Sequence, residues 1–140
     1  MGSLTPTGIP LEVAAGLIFR NGKLLITQRR NADHLGGLWE FPGGKREGNE
    51  SFEACLVREL KEELGLDVQT GQLIETVIHH YPGKSVCLKF FKCSCEAGDP
   101  QPLACQAIAW IGPDEIDRYE FPAADARLLE KLKSAVDLWR

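Results

Sequence analysis

The sequence predicts an α+β or mixed α/β fold, with helices packed against one β-sheet. Short apolar segments separated by turn residues alternate with two stretches of helical periodicity, and a glycine-rich stretch precedes the first helix. The chain has 140 residues, which is the usual size of one domain. We expect a flexible lead-in over residues 1–10 and a single folded domain over residues 11–140.

The first two predicted elements form a β-hairpin. The apolar segment 11–20 ends at Asn21-Gly22, the dipeptide most typical of a two-residue hairpin turn, and a return strand follows over residues 23–29. Residues 31–48 contain five glycines and are predicted to be an ordered loop, with a short strand over residues 38–41. This density of glycine, beside Trp39 and Phe41, suggests a backbone shaped around something.

The clearest helix is predicted over residues 50–64. Apolar residues recur at every fourth position and form one stripe: Phe52, Leu56, Leu60 and Leu64. Asn49 is expected to cap the amino end of this helix, and Gly65 is placed to end it in the left-handed conformation.

The second half of the chain predicts three more strands and a final helix. Strand-like segments cover residues 73–80, 85–95 and 107–111, and the turn Tyr81-Pro82-Gly83-Lys84 joins the first two. Pro122 suits the first turn of the last helix. Apolar residues repeat there at helical spacing: Leu128, Leu129, Leu132 and Val136.

Composition excludes several classes of protein. The net charge is −4, which argues against binding of duplex nucleic acid through its phosphates. No apolar run approaches the roughly 20 residues that span a bilayer, and residues 1–10 lack the features of a signal peptide. Five cysteines without C-x-x-C spacing make a poor disulfide framework. We therefore expect a cytoplasmic monomer or homodimer with reduced thiols and no membrane partner.

Three glutamates on the first helix suggest a cation site. Glu59, Glu62 and Glu63 are spaced i, i+3 and i+4, so they project from one face and repel one another. Mg²⁺ prefers oxygen ligands and combines carboxylates with substrate phosphates. The alternative is a solvated acidic face that pairs locally with Arg58 and Lys61.

Fixed residues stand at defined spacing from Gly44 to Leu66: Gly44, Glu50, Arg58, Glu59, Leu60, Glu62, Glu63, Gly65 and Leu66. This stretch resembles the Nudix box, G-x5-E-x7-R-E-U-x-E-E-x-G-U with U a bulky aliphatic residue, at every defined position. The resemblance implies the Nudix fold, an α/β/α sandwich with a mixed sheet flanked by helices. It also implies a hydrolase of phosphoric anhydride bonds that uses Mg²⁺, with Mn²⁺ as an alternative.

Segments outside the box are similar to the MutT-type branch of that family. They are Gln28-Arg29-Arg30, residues 34–45 and Phe121-Pro122-Ala123-Ala124-Asp125. That branch hydrolyses nucleoside triphosphates to the monophosphate and pyrophosphate, including oxidised purine nucleotides such as 8-oxo-dGTP and, in some members, cytidine nucleotides. The implied role is sanitisation of the nucleotide pool, which belongs to DNA repair.

The resemblance also implies roles for single residues. Glu59, Glu62 and Glu63 would bind the metal together with the Gly44 carbonyl. Glu59 would take the proton of the attacking water, and Arg58 would orient the glutamates. The implied nucleotide contacts are Arg29, His34, Phe41, Lys45, Tyr81 and Asp125.

Several of these contacts have a second interpretation. Arg29 also fits an ordinary charge at a strand end, and Phe41 also fits the core. Tyr81 also fits support of a turn, and His34 also fits an exposed loop. An ionised Asp125 accepts hydrogen bonds, which suits both the amine of cytosine and the N–H groups of guanine.

One position departs from the MutT-like pattern. A glutamate on the loop before the late tryptophan is replaced here by Ala104, so the hypothesis is that Asp99 or Asp114 substitutes, or that fewer metal ions bind. This departure favours a Nudix module that binds a ligand without turnover, whereas the intact glutamates favour the hydrolase. A sugar-nucleotide or dinucleotide hydrolase shares the box but has no specific support.

Overall fold

A computed structural model describes residues 10–140, so the expected lead-in lies, apart from Pro10, outside the described residues. Strands β1 (Leu11–Arg20) and β2 (Lys23–Gln28) form the predicted hairpin. Asn21 and Gly22 have φ angles of 53° and 75°, and two positive values are what a type I′ turn requires.

The sheet has seven strands and is mixed, as predicted. The remaining strands are β3 (Trp39–Glu40), β4 (Gly43–Lys45), β5 (Gln69–Tyr81), β6 (Lys84–Ser94) and β7 (Ala107–Ile111). Their order along the main path is β3-β2-β1-β6-β5, while β4 also pairs with β1 and β7 with β2. The β1–β6 pair is parallel and the other pairs are antiparallel.

Strand β4 was not predicted, because the sequence indicated a loop there. Its backbone pairs with the amino-terminal half of β1, Gly44 opposite Ala14, whereas β2 pairs with the other end of β1. A Cβ on Gly43 would overlap the carbonyl oxygen of Ala14, so this close approach requires glycine. The pairing fixes the glycine-rich segment beside the first helix.

Helix α1 (Phe52–Leu64) starts two residues later than predicted. The prediction of Asn49 as its cap was wrong, because the Ser51 hydroxyl accepts a hydrogen bond from the Ala54 N–H at 3.0 Å. The predicted end is confirmed. Gly65 has a φ of 70°, and its N–H bonds back to carbonyls in the last turn.

Helices cover both faces of the sheet. Buried side chains of α1, such as Leu56 and Leu60, pack with Ala14 and Ile18 of β1 on one face. The alternate residues of β1, such as Leu17, face a second core that includes α2 (Ala126–Ser134). The result is the α/β/α sandwich that the resemblance implied.

The final helix is shorter than predicted. Leu128 and Leu132 of α2 are fully buried, as their spacing indicated. Val136 lies beyond α2 in a 3₁₀ turn, Val136–Trp139, and is 57% exposed, so its place in the apolar stripe was wrong. Trp139 is buried instead, with its ring centroid 5.2 Å from that of Phe19.

Strand β5 lies at one edge of the sheet, and two cations from α2 contact that edge. Lys131 Nζ donates to the Ile74 carbonyl at 2.8 Å, and Arg127 Nη2 donates to the Thr76 carbonyl at 2.9 Å. Both side chains also pair with Glu75, whose pKa they hold below its ordinary value. Within residues 10–140, no helix combines the length and the apolar character needed to cross a membrane.

Candidate active site

A cavity of about 530 Å³ opens between the sheet and the loops around it, a size typical of small-molecule sites. The sheet contributes an apolar wall from β1 and β6: Leu11, Val13, Ala15, Val86, Leu88 and Phe90. All six predicted nucleotide contacts line the same cavity: Arg29, His34, Phe41, Lys45, Tyr81 and Asp125.

Two of the three predicted metal-binding glutamates enter the cavity. Glu59 and Glu63, one helical turn apart on α1, line it together with Gly44, whereas Glu62 does not. The Glu59 side chain is only 11% exposed, while that of Glu62 is 59% exposed. The spacing predicted that all three glutamates share one face, but Glu62 lies outside the cavity.

Arg58 holds the carboxylates of this region in place. Its guanidinium donates to Glu50 at 2.7 and 3.1 Å, to Glu59 at 2.8 Å and to Glu62 at 3.3 Å. Glu50 also accepts from the backbone N–H of Glu47 at 2.9 Å. Chiefly because of Arg58, the pKa of Glu50 is lowered to about 2. These contacts are consistent with the predicted role of Arg58, which is to orient Glu59.

Gly44 lies directly against the Glu59 carboxylate. A Cβ at this position would overlap that carboxylate, so a side chain here would displace the Glu59 carboxylate from its present position. The Gly44 carbonyl oxygen lies 3.5 Å from Cys55 Sγ. Burial raises the pKa of the Cys55 thiol to about 11, so it remains a neutral donor to this carbonyl.

The acidic groups of the cavity suit a hard divalent cation. Burial, and then the neighbouring Glu59, raises the pKa of Glu63 far above its ordinary value. Oxygen donors alone, from the Gly44 carbonyl and the glutamates, match the preferences of Mg²⁺ and Mn²⁺. No set of three His, Cys, Asp or Glu side chains within residues 10–140 is already arranged to hold a metal.

A second acidic pair lies in the same cavity, away from the helix. Asp125 is only 6% exposed, and burial together with nearby Glu40 raises its pKa to about 7. Burial also raises the pKa of Glu40, although its ion pair with Arg29 at 3.1 Å acts in the opposite direction. Glu40 was not among the predicted site residues. The one sequence feature that could have indicated it is the position of its carboxylate between two aromatic residues, Trp39 and Phe41.

Arg29 is more than a charge at a strand end. Its Nε donates to the His34 carbonyl at 2.7 Å, and its Nη1 pairs with Glu40. The guanidinium therefore holds the loop after β2 and a cavity carboxylate at once.

The aromatic residues form one side of the cavity. Phe41 is 4% exposed and stacked on Phe121 with ring centroids 5.2 Å apart, so it belongs to the core and to the cavity wall. The ring of Tyr81 lies 4.6 Å from that of His79 and 6.4 Å from that of His34. Tyr81 and His34 thus bring the β5–β6 turn and the loop after β2 together at the cavity.

The family described as the NUDIX domain matches residues 14–131. The chain belongs to the Nudix family. It is MutT-like and is a hydrolase that acts on phosphoric anhydride bonds, a pyrophosphohydrolase. Nudix hydrolases act on small nucleotide substrates and generally use divalent metal ions.

Three similar proteins place the chain within the Nudix family. The 8-oxo-dGTP diphosphatase of Proteus vulgaris is 48% identical over 82 residues, covering 58% of this chain and 73% of that protein. The CTP pyrophosphohydrolase of Escherichia coli K12 is 38% identical over 120 residues, covering 86% and 89%. The solution structure of the E. coli ORF135 protein has a TM-score of 0.75 at 36% identity, covering 94% and 97%.

Neither aspartate proposed to replace the missing Nudix loop carboxylate does so in the structure. Asp99 is 96% exposed and pairs with Arg20, and Asp114 is exposed and does not line the cavity. Ala104 does line the cavity. Among the residues that the structure describes, the cavity carboxylates come from other segments.

Proposed function

We propose that this Nudix hydrolase cleaves a nucleoside triphosphate of the 8-oxo-dGTP type to the monophosphate and pyrophosphate with Mg²⁺, and so sanitises the nucleotide pool. The observation that carries the proposal is the shared cavity. The buried Glu59 and the half-buried Glu63 of α1 face the same space as an aromatic, acidic wall, which fits the phosphates and the base of one nucleotide.

The glutamates and their supports account for the hydrolytic step. The Gly44 carbonyl, Glu59, Glu62 and Glu63 would hold the divalent cation, which offsets phosphate charge and lowers the pKa of a water molecule. Arg58 fixes Glu59 at 2.8 Å, so that its carboxylate accepts the proton of the attacking water. The water attacks phosphorus in line, and pyrophosphate leaves.

The rest of the cavity supports nucleotide binding. Lys45 lies at the end of β4, next to Gly44, where its ammonium can pair with phosphate oxygens. Phe41, Tyr81 and His34 offer ring surfaces for the base. The buried Asp125 offers a hydrogen-bonding group to the edge of the base, and Glu40 and Arg29 stand beside it as further polar groups.

A cytidine nucleotide is the second candidate substrate. A relative named CTP pyrophosphohydrolase is 38% identical across 86% of this chain, more extensive coverage than that of the Proteus protein. An ionised Asp125 accepts a hydrogen bond from the amine of cytosine as readily as from guanine.

Turnover across a nucleotide panel tests both candidates. The panel contains 8-oxo-dGTP, dGTP, CTP, dCTP, ADP-ribose and a sugar nucleotide, each with Mg²⁺ and with or without added pyrophosphatase. We expect the highest kcat/KM for 8-oxo-dGTP, with phosphate detected only when pyrophosphatase is present. Preference for CTP or dCTP would replace the first candidate by the second. Turnover of ADP-ribose alone would overturn both.

A further inference from the structure

The loop before β7, residues 98–106, connects the catalytic helix to the cavity and is called the strap loop below. At one end, the N–H groups of Gln101 and Leu103 donate to the carbonyls of Leu64 and Glu63 at 2.9 and 3.2 Å. Ala104 then lines the cavity. The strap loop therefore follows the carboxyl end of α1, where Glu63 is placed.

The loop after β2, residues 29–38, forms part of the cavity rim and is called the rim loop. Arg29, Asp33, His34 and Leu35 line the cavity. The rim loop is closed on itself by the bonds Arg29 N–H to Leu38 carbonyl at 2.9 Å and Gly37 N–H to Arg29 carbonyl at 3.1 Å. Gln28 of β2 also donates from Nε2 to the Gly37 carbonyl at 3.0 Å, and the strap loop contacts the residues at the start of the rim loop.

Gln106 joins the strap loop to the rim loop. Its side-chain Nε2 donates to the Arg29 carbonyl at 2.7 Å and to Asn31 Oδ1 at 2.9 Å, while its backbone N–H donates to the Gln28 carbonyl at 2.9 Å. The two hydrogens of one amide nitrogen serve two acceptors at once. The amide orientation is fixed because both partners are acceptors. Arg30 adds a second link, from Nη2 to the Leu103 carbonyl at 3.1 Å.

We propose that Gln106 is a positioning residue that holds the rim loop against the cavity and thereby sets the affinity for the nucleotide. The proposal rests on the nucleotide hydrolase function argued above. Gln106 does not line the cavity, so it acts through Arg29 and Asn31. Loss of its two side-chain bonds releases the wall formed by His34 and its neighbours. This wall contacts ground state and transition state alike, so KM rises while kcat is retained.

Two substitutions remove the donor in different ways. Gln106→Ala deletes the amide, and Gln106→Glu keeps its shape but presents an acceptor oxygen to two acceptors. We expect both variants to raise the KM for the preferred nucleotide by about threefold to tenfold, the effect of one or two hydrogen bonds, with kcat within about twofold of wild type. Gln101→Ala is the matched control, since its side chain makes no hydrogen bond within residues 10–140 and its strap-loop backbone bond stays. It should leave both constants unchanged.

Hydrogen exchange gives a readout that does not depend on turnover. In the free protein, the amides of Gly37 and Leu38 should exchange faster in both Gln106 variants than in wild type or Gln101→Ala. Combination of Gln106→Ala with Asn31→Ala should raise KM by less than the product of the single effects, because the two residues share one bond.

Unchanged exchange and unchanged KM in Gln106→Glu would overturn the proposal, as would a fall in kcat at constant KM. If wild type turns over no nucleotide, the proposed function fails. The exchange rates and the calorimetric Kd for nucleoside monophosphates then still decide the role of Gln106.

Discussion

Glu59 is the residue in which burial, orientation and access to the cavity coincide. It is 11% exposed, it accepts from Arg58 at 2.8 Å, and it lies against Gly44. Glu59→Gln removes a proton acceptor and a metal ligand while keeping the size of the side chain. We expect kcat to fall by about 10²- to 10⁴-fold, with an unchanged far-UV circular dichroism spectrum.

The matched control for this substitution is Glu53→Gln, an exposed glutamate on the same helix that does not line the cavity. Coupled pyrophosphate release measures both variants. Near-wild-type turnover by Glu59→Gln would refute its role as base and ligand.

The raised pKa of Asp125 predicts how the free energy of unfolding depends on pH in the absence of metal. Its pKa is about 7 in the folded chain against 3.8 for an ordinary aspartate, so between these values the folded state holds a proton that the unfolded state has lost. The free energy of unfolding therefore falls as pH rises through this range. We expect the Tm in EDTA to drop between pH 5 and pH 8, by roughly 5 °C or more.

Asp125→Asn removes this titration and should make the decline less steep. The pKa of Glu63 is also raised, chiefly by burial, so its titration lowers stability over the same pH range and on to higher pH, and a shallower decline remains in the variant. Thermal unfolding followed by circular dichroism measures the effect. Parallel curves for wild type and Asp125→Asn would contradict it.

At the scale of elements, the cap of α1 can be tested by comparing substitutions at Ser51 and Asn49. Ser51→Ala removes the hydroxyl that accepts from the Ala54 N–H, so it should lower the free energy of unfolding by about 1 kcal/mol. Asn49→Ala changes the residue that the sequence favoured but that lies outside the helix, and should cost less than about 0.5 kcal/mol. Urea unfolding of the two variants measures both changes in the free energy of unfolding. A larger loss for Asn49→Ala would contradict the observed cap.

Elements with local signals were predictable from the sequence, whereas elements that depend on distant partners were not. The hairpin follows from Asn21-Gly22 and the end of α1 from Gly65, because each conformation is set by adjacent residues. Strand β4 exists only because its glycine backbone reaches β1, some thirty residues earlier in the chain. Glycine has no side chain that signals a strand, so a loop was predicted there.

The candidate site shows the same division. The spacing of Glu59 and Glu63 on one helix placed both in the cavity. Glu40 was not predicted as a site residue, because its place in the site depends on interactions with Arg29 and Asp125, which are not its neighbours in sequence. Gln106 lies 77 positions from Arg29, so no local pattern indicates their bond.

At the scale of the whole molecule, metal binding should raise the free energy of unfolding. A cation that binds only the folded chain adds about 2.7 kcal/mol when its free concentration is one hundred times its Kd. We expect Mg²⁺ to raise the Tm at pH 8, because it offsets the repulsion among the cavity carboxylates. EDTA should reverse the rise and abolish turnover.

Two controls separate a specific site from general screening. NaCl at equal ionic strength should leave the Tm of wild type almost unchanged, and Glu59→Gln should reduce the response to Mg²⁺. An equal rise with NaCl would show that no cation site contributes.

The edge of the sheet at β5 has a consequence for the protein in concentrated solution. An unpaired edge strand is a template on which another chain can add a strand, which is how many proteins begin to form fibrils. Here Lys131 and Arg127 already occupy the Ile74 and Thr76 carbonyls, and both are anchored by Glu75. An incoming chain would have to displace two ion-paired cations. The contact between α2 and β5 therefore protects the folded chain from self-templated assembly while also fastening the last helix.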